Sequence, residues 1–229
     1  MGHWGQGPVV AVDGPAGAGK STAARRMAER LGFLYLDSGA MYRALALKAL
    51  QHGVDLRDET QLLHLLDMTR IELDGAGHQK PLVLVDGQDV TRLLRSPEVN
   101  ASVSVVAGFP RIREEMVRRQ REMSRAGHVI MDGRDIGTYV LPSADLKFYL
   151  TASLEARAQR RLQDLTGMGF PADLAELAEE IRHRDALDSE RAVGPLKQAP
   201  DAIYIDTTDM EVDHVVDMML SIYRQRVES

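Results

Sequence analysis

One segment restricts the fold of this chain more than any other. Residues 14–21 read Gly-Pro-Ala-Gly-Ala-Gly-Lys-Ser, which fits G-x-x-x-x-G-K-[ST] in full. Glycines at that spacing let backbone N–H groups turn inward around phosphate oxygens with no Cβ in the way. The helix that follows adds the positive end of its dipole to the same anion. Lys20 is placed to reach β- and γ-phosphates, and Ser21 to offer a hydroxyl to Mg2+. The device works between a strand and a helix, and the flanks supply both. Residues 8–13 (PVVAVD) are a short apolar run that reads as a buried strand. Residues 20–31 carry Ala23, Ala24, Met27, Ala28 and Leu31 at helical spacing, and Gly32 closes that helix. The loop implies a bound nucleoside triphosphate. It does not say where the γ-phosphate goes.

The rest of the chain alternates in the same way. Strands are expected at 33–36, 128–131, 145–150 and 202–205, and helices at 40–51, 60–68, 97–107, 110–125, 153–165, 173 to about 186, and 212–225. Two further short strands, 71–73 and 81–85, are joined by the turn Asp74-Gly75-Ala76-Gly77, and a second turn follows at Asp86-Gly87. These patterns predict an α/β fold: a doubly wound parallel sheet flanked by helices, with a small antiparallel lobe inserted over 71–94. The chain reads as a single domain over 1–229, its core spanning about 8–70 and 95–229, with a helical lid over about 157–172. Gly167 and Gly169 in the stretch TGMGFP give that lid hinge freedom.

Composition removes whole classes. At 44% hydrophobic and 27% charged the chain is too apolar for a disordered one, and with no cysteine it has no disulfide, zinc–thiolate site, iron–sulfur cluster or cysteine nucleophile. A net charge of −6 argues against nonspecific nucleic-acid binding. No apolar run approaches the roughly 18 residues of a membrane span. The N-terminal Met-Gly-His-Trp-Gly-Gln-Gly-Pro lacks the apolar core of a signal peptide. The expectation is a cytoplasmic monomer with no nucleic-acid or membrane partner.

The cations are unusual in kind, 23 Arg against 5 Lys. Arginine grips phosphate and carboxylate with a planar fork, so its placement bears on the reaction. A GTP switch needs an Asn-Lys-x-Asp reader, but the one Asn, Asn100, precedes Ala101. Motors and helicases carry a sensor after a second acidic strand, whereas here Val129-Ile130-Met131-Asp132 runs into Gly133-Arg134-Asp135. Transfer to a small acceptor remains. If that acceptor already carries phosphate, the site needs several cations beyond Lys20. Candidates are Arg43 after Asp37-Ser38-Gly39, Arg111 and Arg113, Arg134, and the trio Arg157, Arg160 and Arg161.

Leu174, Leu177 and Ile181 form an inward stripe that continues at helical spacing as Arg184, Asp188 and Arg191. Three readings are open: the triplet meets a ligand, it pairs with itself, or the helix ends at Ala186. Arg118, Arg119 and Arg121 among Glu114, Glu115 and Glu122 read as a solvated face. The histidines share no metal-ligand spacing. Met210, Met218 and Met219 read as core filler.

Taken together the motifs resemble the bacterial cytidylate kinases, among the P-loop nucleoside monophosphate kinases. The residues that carry the resemblance are Val-Asp-Gly-Pro-Ala-Gly-Ala-Gly-Lys-Ser at 12–21, Leu-Asp-Ser-Gly-Ala-Met-Tyr-Arg at 36–43, Phe-Pro-Arg-Ile-Arg at 109–113, Asp-Gly-Arg-Asp-Ile-Gly-Thr at 132–138, and the set Arg184, Asp188, Arg191-Ala-Val. The resemblance implies ATP + CMP ⇌ ADP + CDP, with dCMP accepted, Mg2+ required, and uridylate or another small acceptor as the alternative. It implies ATP on Gly14, Pro15, Ala16, Gly17, Ala18, Gly19, Lys20, Ser21 and Thr22, with Ser21 on the metal. It puts the acceptor phosphate on Ser38, Arg43, Arg134 and Arg191, cytosine on Ser104, Arg113 and Asp135, and the ribose on Arg184 and Asp188. Lys20, Arg134 and the lid arginines Arg157, Arg160 and Arg161 would carry catalysis. A phosphate oxygen is already anionic, so no general base is expected.

Overall fold

Strand β1 (Val9–Asp13) is buried along its whole length, because it lies mid-sheet with helices on both faces. Its alternating side chains split the core. Val10 and Val12 face one cluster, completed by α1 (Lys20–Leu31) and α8 (Val212–Val227), while Val9 and Ala11 face another with Leu36, Val117 and Met131. The computed structural model describes residues 7–74 and 82–228.

Five parallel strands make the main sheet, in the order β2 (Leu34–Asp37), β6 (Val129–Gly133), β1, β7 (Leu146–Thr151), β8 (Ile203–Asp206). The phosphate-loop strand therefore sits between β6 and β7, with its C-terminal end beside theirs. Each strand except β1 runs at least one residue beyond its expected end. Apolarity stops where the core stops, but the ladder continues: Asp37 pairs with Asp132, Asp13 with Gly133, and Thr151 with Asp206. Those polar strand ends are where the site is built.

After β2 the chain enters α2 (Ser38–Gln51), two residues earlier than the pattern predicts, because Asp37 caps it by accepting from Ala40 N at 2.9 Å. Helix α2 is apolar nearly all round. It is central to a third cluster with α3 (Glu59–Asp67), α4 (Pro97–Val106) and α5 (Pro110–Met123). The inserted lobe is β3 (Ile71–Asp74), β4 (Leu82–Val85) and a short β5 (Gln88–Asp89) that the sequence reading did not separate. Asp86 and Gly87 join β4 to β5 with φ of 50° and 81°, the paired positive angles of a two-residue hairpin turn. The turn expected at 74–77 lies outside the described residues past Asp74, as does the N-terminal stretch 1–6. Ile71, Val83, Val85, Val90 and Leu94 share the cluster of α2–α5, so the lobe packs on the helices below it.

Helix α6 (Leu154–Gly167) leads into α7 (Leu174–Glu190). Helix α7 persists to Glu190, so it does not stop at Ala186. Leu177 and Ile181 face inward, but Leu174 is 42% exposed: it occupies the first turn, ahead of the packed stretch. The face around Arg118 is only partly solvated. Arg119 donates to Leu66 O and Thr69 O at 2.9 and 2.8 Å, and Arg121 to Val140 O and Tyr139 O, each at 2.8 Å. A pattern of alternating charge cannot show that free carbonyls wait on a neighbouring element. Among the described residues no helix is long and apolar enough to cross a membrane.

Candidate active site

The phosphate loop turns at Gly14, whose φ of 144° and contact with Leu150 O, 1.8 Å from where a Cβ would stand, admit only glycine. Gly19 precedes α1 in a left-handed conformation with no side-chain cap, which leaves the first amides of the helix to a ligand. Lys20 is 4% exposed and its Nζ donates to Pro15 O at 2.7 Å. Burial, then Arg134, drives its pKa down to about 7.

Ser21 Oγ donates to Asp132 Oδ2 at 2.7 Å, Tyr35 OH donates to Asp132 Oδ1 at 2.7 Å, and Ser38 Oγ donates to Asp132 O at 2.7 Å. Burial and then Asp37 push the Asp132 carboxyl up from its ordinary value. The donor set beside the loop is oxygen only, and among the described residues no group of three His, Cys, Asp or Glu forms a metal cage. That suits Mg2+ held largely by phosphate oxygens and water.

A second charged cluster lies across β6. Arg134 donates through Nε to Asp188 Oδ2 at 2.8 Å, and Arg191 Nη1 stands 3.6 Å from Asp188 Oδ1. Burial alone would raise Asp188, but Arg134, Arg191 and Arg184 together hold its carboxyl below the usual range. The inward triplet therefore pairs internally in part. The pairing leaves nitrogens over. Arg184 Nε, Arg191 Nε and Nη2, and Arg113 Nε are buried with no hydrogen-bond partner among the described residues. Burial, then Arg134, lowers the Arg184 pKa to about 10.

Arg113, 1% exposed, forms an ion pair with Asp135 and lies 5.6 Å from the Tyr42 ring centroid. Ser104 stands half-buried on α4, and among the described residues its hydroxyl bonds neither Arg113 nor Asp135. Arg43 pairs with Asp37. The three α6 arginines diverge. Arg157 bonds Ala16 O at 3.1 Å and Asp185 Oδ2 at 2.6 Å, tying the loop to α7. Arg160 bonds Thr207 O and Oγ1, on the loop after β8. Arg161 is half-buried within the fields of Arg43 and Arg95. The structure brings Arg157 to the loop and Arg160 to Thr207, whose hydroxyl bonds Ala18 O of the loop, while Arg161 stands half-buried on α6.

Five acids and phenols were not legible as site residues: Asp13, Tyr35, Asp37, Asp132 and Asp185. Asp13 and Asp37 end their strands and Asp132 is the last residue but one of β6, all at the C-terminal end of the sheet, and a polar residue closing an apolar run was the available signal.

The family model described as Cytidylate kinase matches residues 10–225. A cytidylate kinase of Geobacillus kaustophilus (strain HTA426) is 54% identical over 218 residues, covering 95% of this chain and 97% of that protein. One from Symbiobacterium thermophilum is 55% identical over 212 residues, covering 93% and 94%. Among solved structures, a gluconokinase from Sinorhizobium meliloti 1021 superposes with a TM-score of 0.50 at 14% identity, covering 96% of this chain and 93% of that one, a likeness of fold alone.

Proposed function

The chain belongs to the cytidylate kinase family, and from that premise we propose how its site works. It is a nucleoside monophosphate kinase that transfers the γ-phosphoryl group of ATP to CMP or dCMP, giving ADP and CDP or dCDP. The bond from the γ-phosphorus to its bridging oxygen breaks as one forms to an acceptor phosphate oxygen.

Residues 14–22 hold the ATP phosphates, and Lys20 neutralises charge on the transferring group. Ser21 would ligate the Mg2+ that accompanies ATP, which would withdraw charge from the phosphates, and Asp132 holds the Ser21 hydroxyl in place. Ser38, Arg43, Arg134 and Arg191 hold the acceptor phosphate. Arg184 and Asp188 meet the ribose, and Ser104, Arg113 and Asp135 meet the base. The segment 157–172 is the lid, and Arg157, Arg160 and Arg161 close with it, excluding water that would otherwise take the phosphoryl group. The chain works as one domain and as a cytoplasmic monomer.

One observation carries the acceptor assignment: four buried guanidinium nitrogens on Arg113, Arg184 and Arg191 have no partner among the described residues. Buried donors of that kind cost about 1–3 kcal/mol each unless something meets them. A phosphorylated, hydroxylated acceptor supplies the missing oxygens.

Cytosine presents an amino donor where uracil presents a carbonyl. The Asp135 carboxylate accepts from the first and faces the second with no proton between. A panel of monophosphates assayed by ADP release tests the reading. CMP and dCMP should lead and UMP should trail; UMP equal to CMP removes the base assignment.

A further inference from the structure

Asp13 lies outside every role given above, yet it is one of the most tightly held carboxylates in the protein. It closes β1 directly before Gly14 and is 3% exposed. Its Oδ1 accepts from Ile136 N and its Oδ2 from Gly137 N, each at 2.7 Å. A Cβ at Gly137 would stand 3.2 Å from Oδ2 and 3.0 Å from the Lys147 side chain, so glycine permits this close seat. Those two amides open the π turn Ile136–Val140, whose preceding residue is Asp135. Asp135 O accepts from Tyr139 N at 2.8 Å and Val140 N at 3.0 Å. At the far end Arg121 donates to the carbonyls of Tyr139 and Val140. The Asp13 carboxyl thus grips the amide end of the turn, its two amide donors opposing the burial that lifts its pKa to about 7, and Arg121 holds the carbonyl end, the polarity that an aligned set of peptide dipoles favours.

We infer that Asp13 is a positioning residue for acceptor-base selection: by holding the amides of Ile136 and Gly137 it fixes the backbone of Asp135 and aims that carboxylate at the base. The inference rests on the reading that Asp135 meets the base. It also ties donor and acceptor sides together, because the residue that aims Asp135 is continuous with the phosphate loop.

Asp13→Asn keeps the shape but leaves one amide N–H facing an NH2 group. The specificity constant for CMP relative to UMP should fall about tenfold, the CMP KM should rise, and the ATP KM should stay within about twofold, as expected for loss of one buried charge-assisted bond. Arg121→Met releases the other end of the turn from the surface and should shift the same ratio less, in the same direction. It decides the matter if Asp13→Asn does not fold. Asp135→Ala, measured beside them, separates the two levels of the argument. If Asp135→Ala leaves the ratio unchanged, the base assignment fails and the inference falls with it. If Asp135→Ala collapses the ratio while Asp13→Asn and Arg121→Met lower only thermal stability or kcat, Asp13 is scaffold and the inference alone is overturned. A change confined to the ATP KM would also overturn it, by making Asp13 a partner of Lys20.

Discussion

Arg134 and Asp188, 54 residues apart, meet at 2.8 Å and join the turn after β6 to the end of α7. Asp188 is buried and Arg134 partly so, and Asp188 also faces Arg184 and Arg191. One carboxylate therefore balances three guanidinium groups. Asp188→Asn removes that balance and leaves three mutually repelling cations around the acceptor. The CMP KM should rise by roughly tenfold or more, corresponding to about 1.5–3 kcal/mol for a lost charge-assisted bond, with the ATP KM little changed. Steady-state kinetics with each substrate varied in turn check this; an effect equal on both substrates would assign Asp188 to the scaffold.

Lys20 gives a proton-linkage prediction. Burial and then Arg134 bring its pKa down toward neutrality from the ordinary 10.5, so the ammonium holds its proton less firmly in the free protein than an exposed lysine does. A triphosphate seated on the loop favours the charged form. Binding of ATP at pH 8 should therefore take up a proton, visible as a dependence of the calorimetric enthalpy on buffer ionisation enthalpy. Lys20→Met should abolish that dependence and most of the turnover. Proton release by the wild type would reverse the sign and discard the argument.

Much of this site was legible because it rests on local spacing. The phosphate loop needs glycines, lysine and serine at fixed offsets within eight residues. Arg184 and Asp188 extend a helical stripe that Leu177 and Ile181 begin. Legibility ends where strand register or distant carbonyls decide. Asp13 and Asp132 are each a lone aspartate after an apolar run, and nothing in the sequence shows that one grips the turn after Asp135 and the other the Ser21 hydroxyl. Arg119 and Arg121 follow the same charge pattern as Arg118, yet only they reach carbonyls, on α3, the segment after it and the π turn. The three α6 arginines lie within five residues and still serve three places, because a helix fans consecutive side chains round its axis.

Glu115 offers a stability test away from the site. Its bond to Arg118, opposed by partial burial and supported by Arg119, holds its pKa down to about 2 against the ordinary 4.5. A carboxylate depressed on folding contributes stability that is fully present above about pH 4.5 and is lost as pH falls toward 2. Glu115→Gln should lower Tm by about 1–3 °C at pH 7, as for a half-exposed pair worth under about 1 kcal/mol. The gap between wild type and variant should close as pH drops through that window. A gap that stays constant with pH would mean that packing, not charge, links α5 to its arginines.

The divergence of Arg160 and Arg161 yields the last test. Arg160 is fastened to Thr207, whose Oγ1 donates to Ala18 O of the phosphate loop at 3.2 Å. Its guanidinium therefore belongs with the donor. Arg161 is half-buried with no side-chain bond to the loop among the described residues, and its pKa is lowered first by burial, opposed by Asp164 and Glu180, and then by Arg43 and Arg95. On the proposed site its charge meets the acceptor and the group in transit. Arg160→Met should raise the ATP KM with a smaller effect on CMP. Arg161→Met should lower kcat and raise the CMP KM, by about ten- to a hundredfold in kcat/KM for one lost charge-assisted contact. Guanidinium ion added to each variant gives an independent readout, since rescue requires a cavity that opens to the reacting phosphates. Rescue is expected for Arg161→Met and not for Arg160→Met. If the two variants change the same parameter by the same factor and respond alike to guanidinium, the division between donor and acceptor arginines is wrong, and the lid acts as one undivided cationic surface.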